Sequence, residues 1–147
     1  MYRDVVSMDE PGFRQLLELE PDRPFGMLNM LAFRPIALYT PDDPEYGAPE
    51  ITGEAAFRRY VRENARNPVR APGGMAWQGQ PLASLIAPPA ERWDLVFVRT
   101  YDTVSSFVEM ISSPDYRKAW RHRAAAVAAS RLIVCAQDDL LSIWAGG

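Results

Sequence analysis

An α+β fold, an antiparallel sheet with helices on one face, is predicted by three observations. Phe25 to Phe33 and Trp93 to Tyr101 carry apolar side chains at both parities, the pattern of strands covered on both sides. Stretches of helical periodicity, each opened by a capping residue, separate the strand-like segments in the order strand, helix, strand, strand, helix, strand. The chain has 147 residues, 48% hydrophobic and 24% charged, which is the size of one domain with enough apolar surface to offset the entropy of ordering it.

The first helix is expected from about Glu10 to Glu20, with Phe13, Leu16 and Leu17 at helical spacing. Ser7 followed by Glu10 reads as a capping box, Pro11 is tolerable in a first turn, and Pro21 and Pro24 end the helix. Residues 1–24 thus form a helical extension ahead of a core at 25–137. Phe25 to Arg34 is the first strand. Pro35 to Glu50 holds four prolines and four carboxylates, so it is a long loop and a candidate lid. Thr52 caps the next helix, whose apolar face is Ala56, Phe57, Tyr60 and Val61 and which stops before Pro68. Gly73-Gly74 opens a strand running through Trp77 and Gly79 to about Leu85, weakened at Pro81.

Trp93 to Tyr101 is the strongest strand. From Thr103 a helix carries Phe107, Val108, Met110 and Ile111, and Ser113-Pro114 caps a new one. That helix is expected to reach about Ala129, with Tyr116, Ala119, Trp120, Arg123 and Val127 on one stripe, and Leu132 to Ala136 to be the last strand. The tail at 138–147 keeps Leu140, Leu141, Ile143 and Trp144 and reads as a segment that docks on its own or a partner subunit.

This order is the ferredoxin-like one, which leaves a bare sheet face. A bare face in a lone chain would be polar at alternate positions, whereas these strands are apolar at both, so a second copy is expected to cover it. A homodimer with a barrel-like core follows.

Composition narrows the function. Nineteen acidic against sixteen basic residues leave a formal charge of −3, which disfavours a general nucleic-acid binder. The N-terminal stretch has no signal-peptide pattern and no run of ~18 apolar residues occurs, so a cytoplasmic protein without a membrane span is expected. One cysteine and one histidine give neither an internal disulfide nor a metal site, and Cys135, within the last strand, is expected to be buried and inert. Glycine-rich phosphate loops, zinc-protease helices and hydrolase elbows have no matching motif, so no cofactor is expected.

Asn29 to Phe33 before a tyrosine-containing loop, Tyr60, Gly74 to Gly79 around Trp77, Trp93-Asp94, Tyr101, Ser113-Pro114-Asp115-Tyr116 and Arg123 leading to Ser130-Arg131-Leu132-Ile133 resemble the family catalogued as domain of unknown function 1330. The resemblance spans about Met27 to Ile133. It implies a dimeric α/β barrel, a superfamily that includes cofactor-free monooxygenases, isomerases, haem-dependent enzymes and proteins without known activity.

Each candidate site residue has a functional and a structural reading. Asp94, between Trp93 and an apolar strand, is a candidate catalytic base or ligand-orienting acid; otherwise an arginine or backbone amides hold it at the strand end. Asn29 is a polar anchor or a satisfied core amide. Arg34 and Arg99, ending or interrupting strands, could clamp a carboxylate or reach water along their own stems. Tyr60, Trp77, Trp93 and Tyr101 could line an apolar pocket or be plain core. His122, among Arg117, Lys118, Arg121 and Arg123, is expected to face solvent, with proton transfer or haem ligation as the functional readings.

The function expected from these residues is binding of a small, partly apolar, carboxylate-bearing molecule between sheet and helices, with cofactor-free catalysis using Asp94. The alternative is a non-catalytic carrier or interaction protein with a filled barrel. A cavity of roughly 300 Å³ or more lined by Asn29, Trp77 and Asp94 separates the two.

Overall fold

Phe25, Met27, Asn29 and Leu31 are buried while Gly26, Leu28 and Met30 between them are half-covered. This alternation along one central strand divides the molecule into a helix side and an open side. The computed structural model describes residues 8–137. In it the elements run α1 (Glu10–Leu17), β1 (Phe25–Phe33), α2 (Gly53–Ala65), β2 (Gly73–Gly79), β3 (Leu95–Tyr101), α3 (Val104–Ser112), α4 (Pro114–Ala126) and β4 (Val127–Ala136). The strands form one antiparallel sheet in the order β2-β3-β1-β4, which is the ferredoxin-like arrangement.

Directly paired residues point to one side of a sheet. On the helix side, Phe25, Met27, Asn29 and Leu31 are flanked by Tyr101, Arg99, Phe97 and Leu95 on β3 and by Ala136, Val134, Leu132 and Ser130 on β4. The open side carries Leu28 and Met30, with Val98 and Val96 on one flank and Ile133 and Arg131 on the other. Trp77 on β2 pairs with Val98 and stands on the open side, 57% exposed. The helix side holds two buried clusters, one of Leu16, Phe25, Met27, Tyr101, Val104 and Phe107, the other of Leu31, Ala56, Phe57, Ala126 and Val127. The N-terminal helix thus packs into the core through Leu16.

Several boundaries differ from expectation. The cap of α1 is Asp9, whose Oδ1 accepts the Gly12 amide at 2.8 Å; Ser7 and the docking segment expected at 138–147 lie outside the described residues. That helix stops at Leu17 and not at Glu20. The second strand stops at Gly79, because Pro81 has no amide to give a ladder. The last strand begins at Val127, five residues earlier than Leu132. Alanines favour helix, but β1 is buried and its second edge needs hydrogen-bond partners along its whole length, and pairing from Phe33↔Val127 to Phe25↔Ala136 supplies them. Cys135 is exposed, opposite Gly26 on the open side, where burial was expected.

Gly53 lies where three segments meet. Its amide donates to Arg34 O at 3.0 Å while the Arg34 amide donates to Ala126 O at 2.8 Å. A Cβ at Gly53 would overlap Arg34 O and lie 2.6 Å from Ala126 O, so only glycine lets α2 start against the β1 end and the α4 end.

Candidate functional site

The stripe Tyr116, Trp120, Arg123 on α4 carries one arginine among aromatic residues, and the fold turns it inward. Arg123 is 5% exposed. Its guanidinium donates to Ser130 Oγ at 2.7 Å and its Cζ lies 4.6 Å from the Trp120 ring centroid. Burial pulls the Arg123 pKa down, partly offset by Tyr60 and Tyr116. These groups wall a cavity of about 720 Å³ between α1, α4 and β4, whose apolar surface comes from Leu16, Met27, Phe107, Trp120 and Leu132. Among the described residues its lining includes Arg23, Arg123, the strand segment at Arg131, and Asp9, which caps α1. Arginine beside apolar side chains is the chemistry that takes an anionic head on an apolar body.

Behind this wall lies a set of phenols. Tyr60 and Tyr116 hydroxyls are 2.7 Å apart, and both rings pack edge-on or tilted against Trp120. Burial pushes the Tyr60 phenol above its ordinary value despite Tyr116, Arg123, Asn64 and Arg99 nearby. Burial, with the neighbouring Tyr60, pushes Tyr116 well above it. Arg99 projects beside Tyr101, 5.8 Å from its ring centroid, and burial raises the Tyr101 phenol as well. All three phenols stay protonated at neutral pH, so they donate and accept hydrogen bonds without serving as bases. Arg99 Nε and Asn64 Oδ1 are buried with no hydrogen-bond partner among the described residues. Asn29 donates from Nδ2 to Met27 O at 3.2 Å, which occupies part of its amide.

Of the residues singled out from sequence, Asn29, Tyr60, Arg99 and Tyr101 thus share the helix side with the cavity. The others lie elsewhere. Trp77 stands on the open side. Trp93 donates from Nε1 to Glu91 at 2.9 Å and has Arg131 5.4 Å from its ring centroid. Arg34 sits at the β1 end, its Nε buried and without a hydrogen-bond partner among the described residues. Asp94 is exposed and its Oδ2 accepts the Phe33 amide at 2.7 Å, where the β1–β4 register shifts. The cavity is therefore not the one expected from Asn29, Trp77 and Asp94.

His122 does not face solvent. It is 3% exposed, with Nδ1 2.7 Å from Tyr39 Oη and Nε2 2.9 Å from Glu63 Oε1. Each ring nitrogen thus has one hydrogen-bonding partner, a phenol on one side and a carboxylate on the other. Both ring nitrogens are engaged, which does not fit a haem ligand. Arg121 beside it forks onto Glu45 at 2.7 and 3.2 Å and reaches Glu63 at 3.3 Å. The hydrogen bond from Arg121 holds Glu45 below the usual carboxylate range. For Glu63, burial pushes up, but His122 and Arg121 outweigh it and the value falls. Tyr39 and Glu45 belong to the long loop, so these contacts tie it to α2 and α4. The loop does not line the cavity and is not its lid.

Sequence reasoning passed over Arg123, Ser130, Tyr116 and Trp120 as site residues. The signal was present: an arginine seven residues after Tyr116 and three after Trp120 lies on their face of the helix. Among the described residues no three His, Cys, Asp or Glu side chains gather as metal ligands, and no helix is long and apolar enough to cross a membrane.

The RPA0582 protein of Rhodopseudomonas palustris, described as a protein of unknown function, is 38% identical with a TM-score of 0.81, over 94% of this chain and 100% of that one. Methylated RPA0582 protein gives the same identity and TM-score over 92% and 96%. Hydroxynitrile lyase from Passiflora edulis is 11% identical with a TM-score of 0.48, over 82% of this chain and 99% of that one. A dimeric protein of unknown function and ferredoxin-like fold from Bacteroides fragilis is 10% identical with a TM-score of 0.45, over 80% and 100%. No protein-family model and no curated protein matches the chain.

Proposed function

This chain belongs to the family of the Rhodopseudomonas palustris RPA0582 protein, and from that premise we propose that it is a homodimeric α/β barrel, of the kind gathered as domain of unknown function 1330, that binds a small, partly apolar, carboxylate-bearing molecule. The observation that carries the binding reading is the cavity of about 720 Å³ in which a buried guanidinium, Arg123, stands beside the apolar side chains of Leu16, Met27, Phe107 and Leu132. An anionic head placed there meets the Arg123 guanidinium beside Ser130 and Trp120, while the body of the ligand takes up the apolar surface of Leu16, Met27 and Leu132. Asp9 is the one carboxylate among the described lining residues and it is occupied in capping α1, so the lining supports holding a ligand better than deprotonating it.

The dimer reading rests on the open side of the sheet. Leu28, Met30, Val96 and Val98 are only half-covered there, and Trp77 and Ile133 are 57% and 47% exposed. Apolar side chains at the centre of a sheet face call for a cover, and the same face of a second copy is self-complementary to it.

The binding reading is tested with 8-anilinonaphthalene-1-sulfonate, an anionic aromatic probe whose fluorescence rises in apolar surroundings. One saturable site per chain is expected, displaced by benzoate but not by the uncharged isostere benzamide. Arg123→Met is expected to weaken the probe by about 10- to 100-fold, the worth of a charge-assisted hydrogen bond at roughly 1.5–3 kcal/mol. Equal displacement by benzoate and benzamide overturns the reading.

A further inference from the structure

Between β2 and β3 the chain leaves the body of the molecule. Every residue from 80 to 90 is exposed, and within that run Leu82, Leu85 and Ile86 are 99%, 93% and 99% exposed. Isolated apolar residues on a surface need no explanation, but three large aliphatic side chains within five residues, almost wholly in water, do. Pro81, Pro88 and Pro89 stiffen the segment, which has neither helix nor strand of its own. We infer that residues 80–92 are an arm that clasps a second copy of this chain, with Leu82, Leu85 and Ile86 seated on the partner. This rests on the homodimer reading above and adds a contact which that reading does not contain.

Three observations select a second copy as the occupant. The arm begins one residue after Gly79, on the strand that displays Trp77 on the open side, so its apolar surface continues the uncovered sheet face. In projection the face is modest: four strands ~4.8 Å apart and about seven residues long at ~3.3 Å each span roughly 440 Å². A stable interface needs about 800 Å² per partner. Three aliphatic side chains at roughly 60–120 Å² each bring the total to roughly 600–800 Å². In an isologous pair each copy gives an arm and receives one, so the gain is counted twice. Charge disfavours a membrane: residues 80–90 carry no Lys or Arg to meet anionic headgroups, and the flanking Glu91 and Arg92 cancel.

The test is sedimentation of the full chain over a concentration series, comparing wild type with a variant carrying Leu82→Ser, Leu85→Ser and Ile86→Ser. All three side chains are exposed in the single copy, so the variant is expected to fold, as circular dichroism will report. The dimer constant is expected to weaken by at least about 100-fold. In a Cys135→Ser background, Leu85→Cys is expected to react with maleimide at least about tenfold more slowly at dimer-forming concentrations than at dilution. A dimer whose affinity and Leu85→Cys labelling ignore these changes overturns the arm and leaves the dimer standing. A wild type that sediments as one copy at every concentration removes the dimer reading and the arm with it. Flotation with phosphatidylcholine vesicles that depends on the three residues, beside an unchanged dimer constant, overturns the arm in favour of a lipid surface.

Discussion

Replacing Tyr60 and Tyr116 with phenylalanine, singly and together, probes the polar cluster behind the cavity. The two hydroxyls are 2.7 Å apart and their phenols are shielded enough that both pKa values rise. Removing one hydroxyl strands the other, which costs about 1–3 kcal/mol for a buried group; partial exposure of both residues places each single variant near the low end. Removing both leaves neither hydroxyl facing a missing partner, so Tyr60→Phe/Tyr116→Phe is expected to cost less than the sum of the singles by about 1 kcal/mol. Urea unfolding followed by far-ultraviolet circular dichroism measures this, and each 1 kcal/mol moves the melting point by roughly 2–4 °C at this chain length. The same pair predicts a pH dependence. Burial raises the folded pKa of both phenols, so their contribution is fully present below the unfolded value of about 10 and is lost as pH rises through the folded values. Wild type is therefore expected to lose stability above about pH 10 more steeply than the double variant. Additivity of the two singles to within about 0.3–0.5 kcal/mol would refute the claim that the hydroxyls satisfy each other.

Gly53→Ala is expected to destabilise by about 3 kcal/mol or more in urea, because the new Cβ meets backbone atoms of Arg34 and Ala126 that cannot yield without breaking their hydrogen bonds; a wild-type midpoint would show that the junction is looser than described. Asp94→Ala removes the carboxylate that accepts the Phe33 amide and is expected to cost about 1 kcal/mol while leaving the probe constant of the cavity unchanged. A weakened probe constant in that variant would bring Asp94 back into the binding site. Glu45 has its pKa depressed by Arg121, so the bond that pins the long loop is present above the unfolded glutamate value and lost as pH falls through the lower folded one. Cleavage of the 35–50 loop by pepsin is thus expected to rise below about pH 4, and Arg121→Gln should show the higher cleavage rate already near pH 5.

The sheet was legible because its two central strands are apolar at both parities, a pattern that survives any uncertainty about their ends. What misled was local propensity set against pairing. The alanines from Ala124 to Ala129 favour helix, yet Val127, Ala128 and Ala129 are strand, since β1 offers a full-length edge and an unpaired edge in the interior costs more than alanine's preference is worth. Asn29, Tyr60, Arg99 and Tyr101 stand out in the sequence as polar groups inside apolar periodicity, and the fold puts them on the helix side without making them lining residues of the cavity. Trp77 and Cys135 lie on the open side, Trp77 on β2 and Cys135 near the end of β4, and the sequence pattern of an apolar strand does not say which of its two faces the helices cover.

The helix α4 shows why the rest of the site stayed hidden. Arg117, Lys118, Arg121, His122 and Arg123 within one helix read as a solvated charged face. In the fold this helix is enclosed from two directions, by the sheet below and by α2 with the long loop beside it. Successive residues turn by 100°, so Arg121 and His122 meet Glu45, Glu63 and Tyr39 on the outer flank while Arg123 meets Ser130 and Trp120 on the inner one. The carboxylates and phenols that make this enclosure tolerable come from segments remote in sequence, at separations of 59 residues for Glu63–His122 and 83 for Tyr39–His122. No periodicity within the helix can announce such partners. A charged run reveals a site only when the fold supplies counter-charges to some of its members and turns another toward a cavity, and here the member so turned is Arg123.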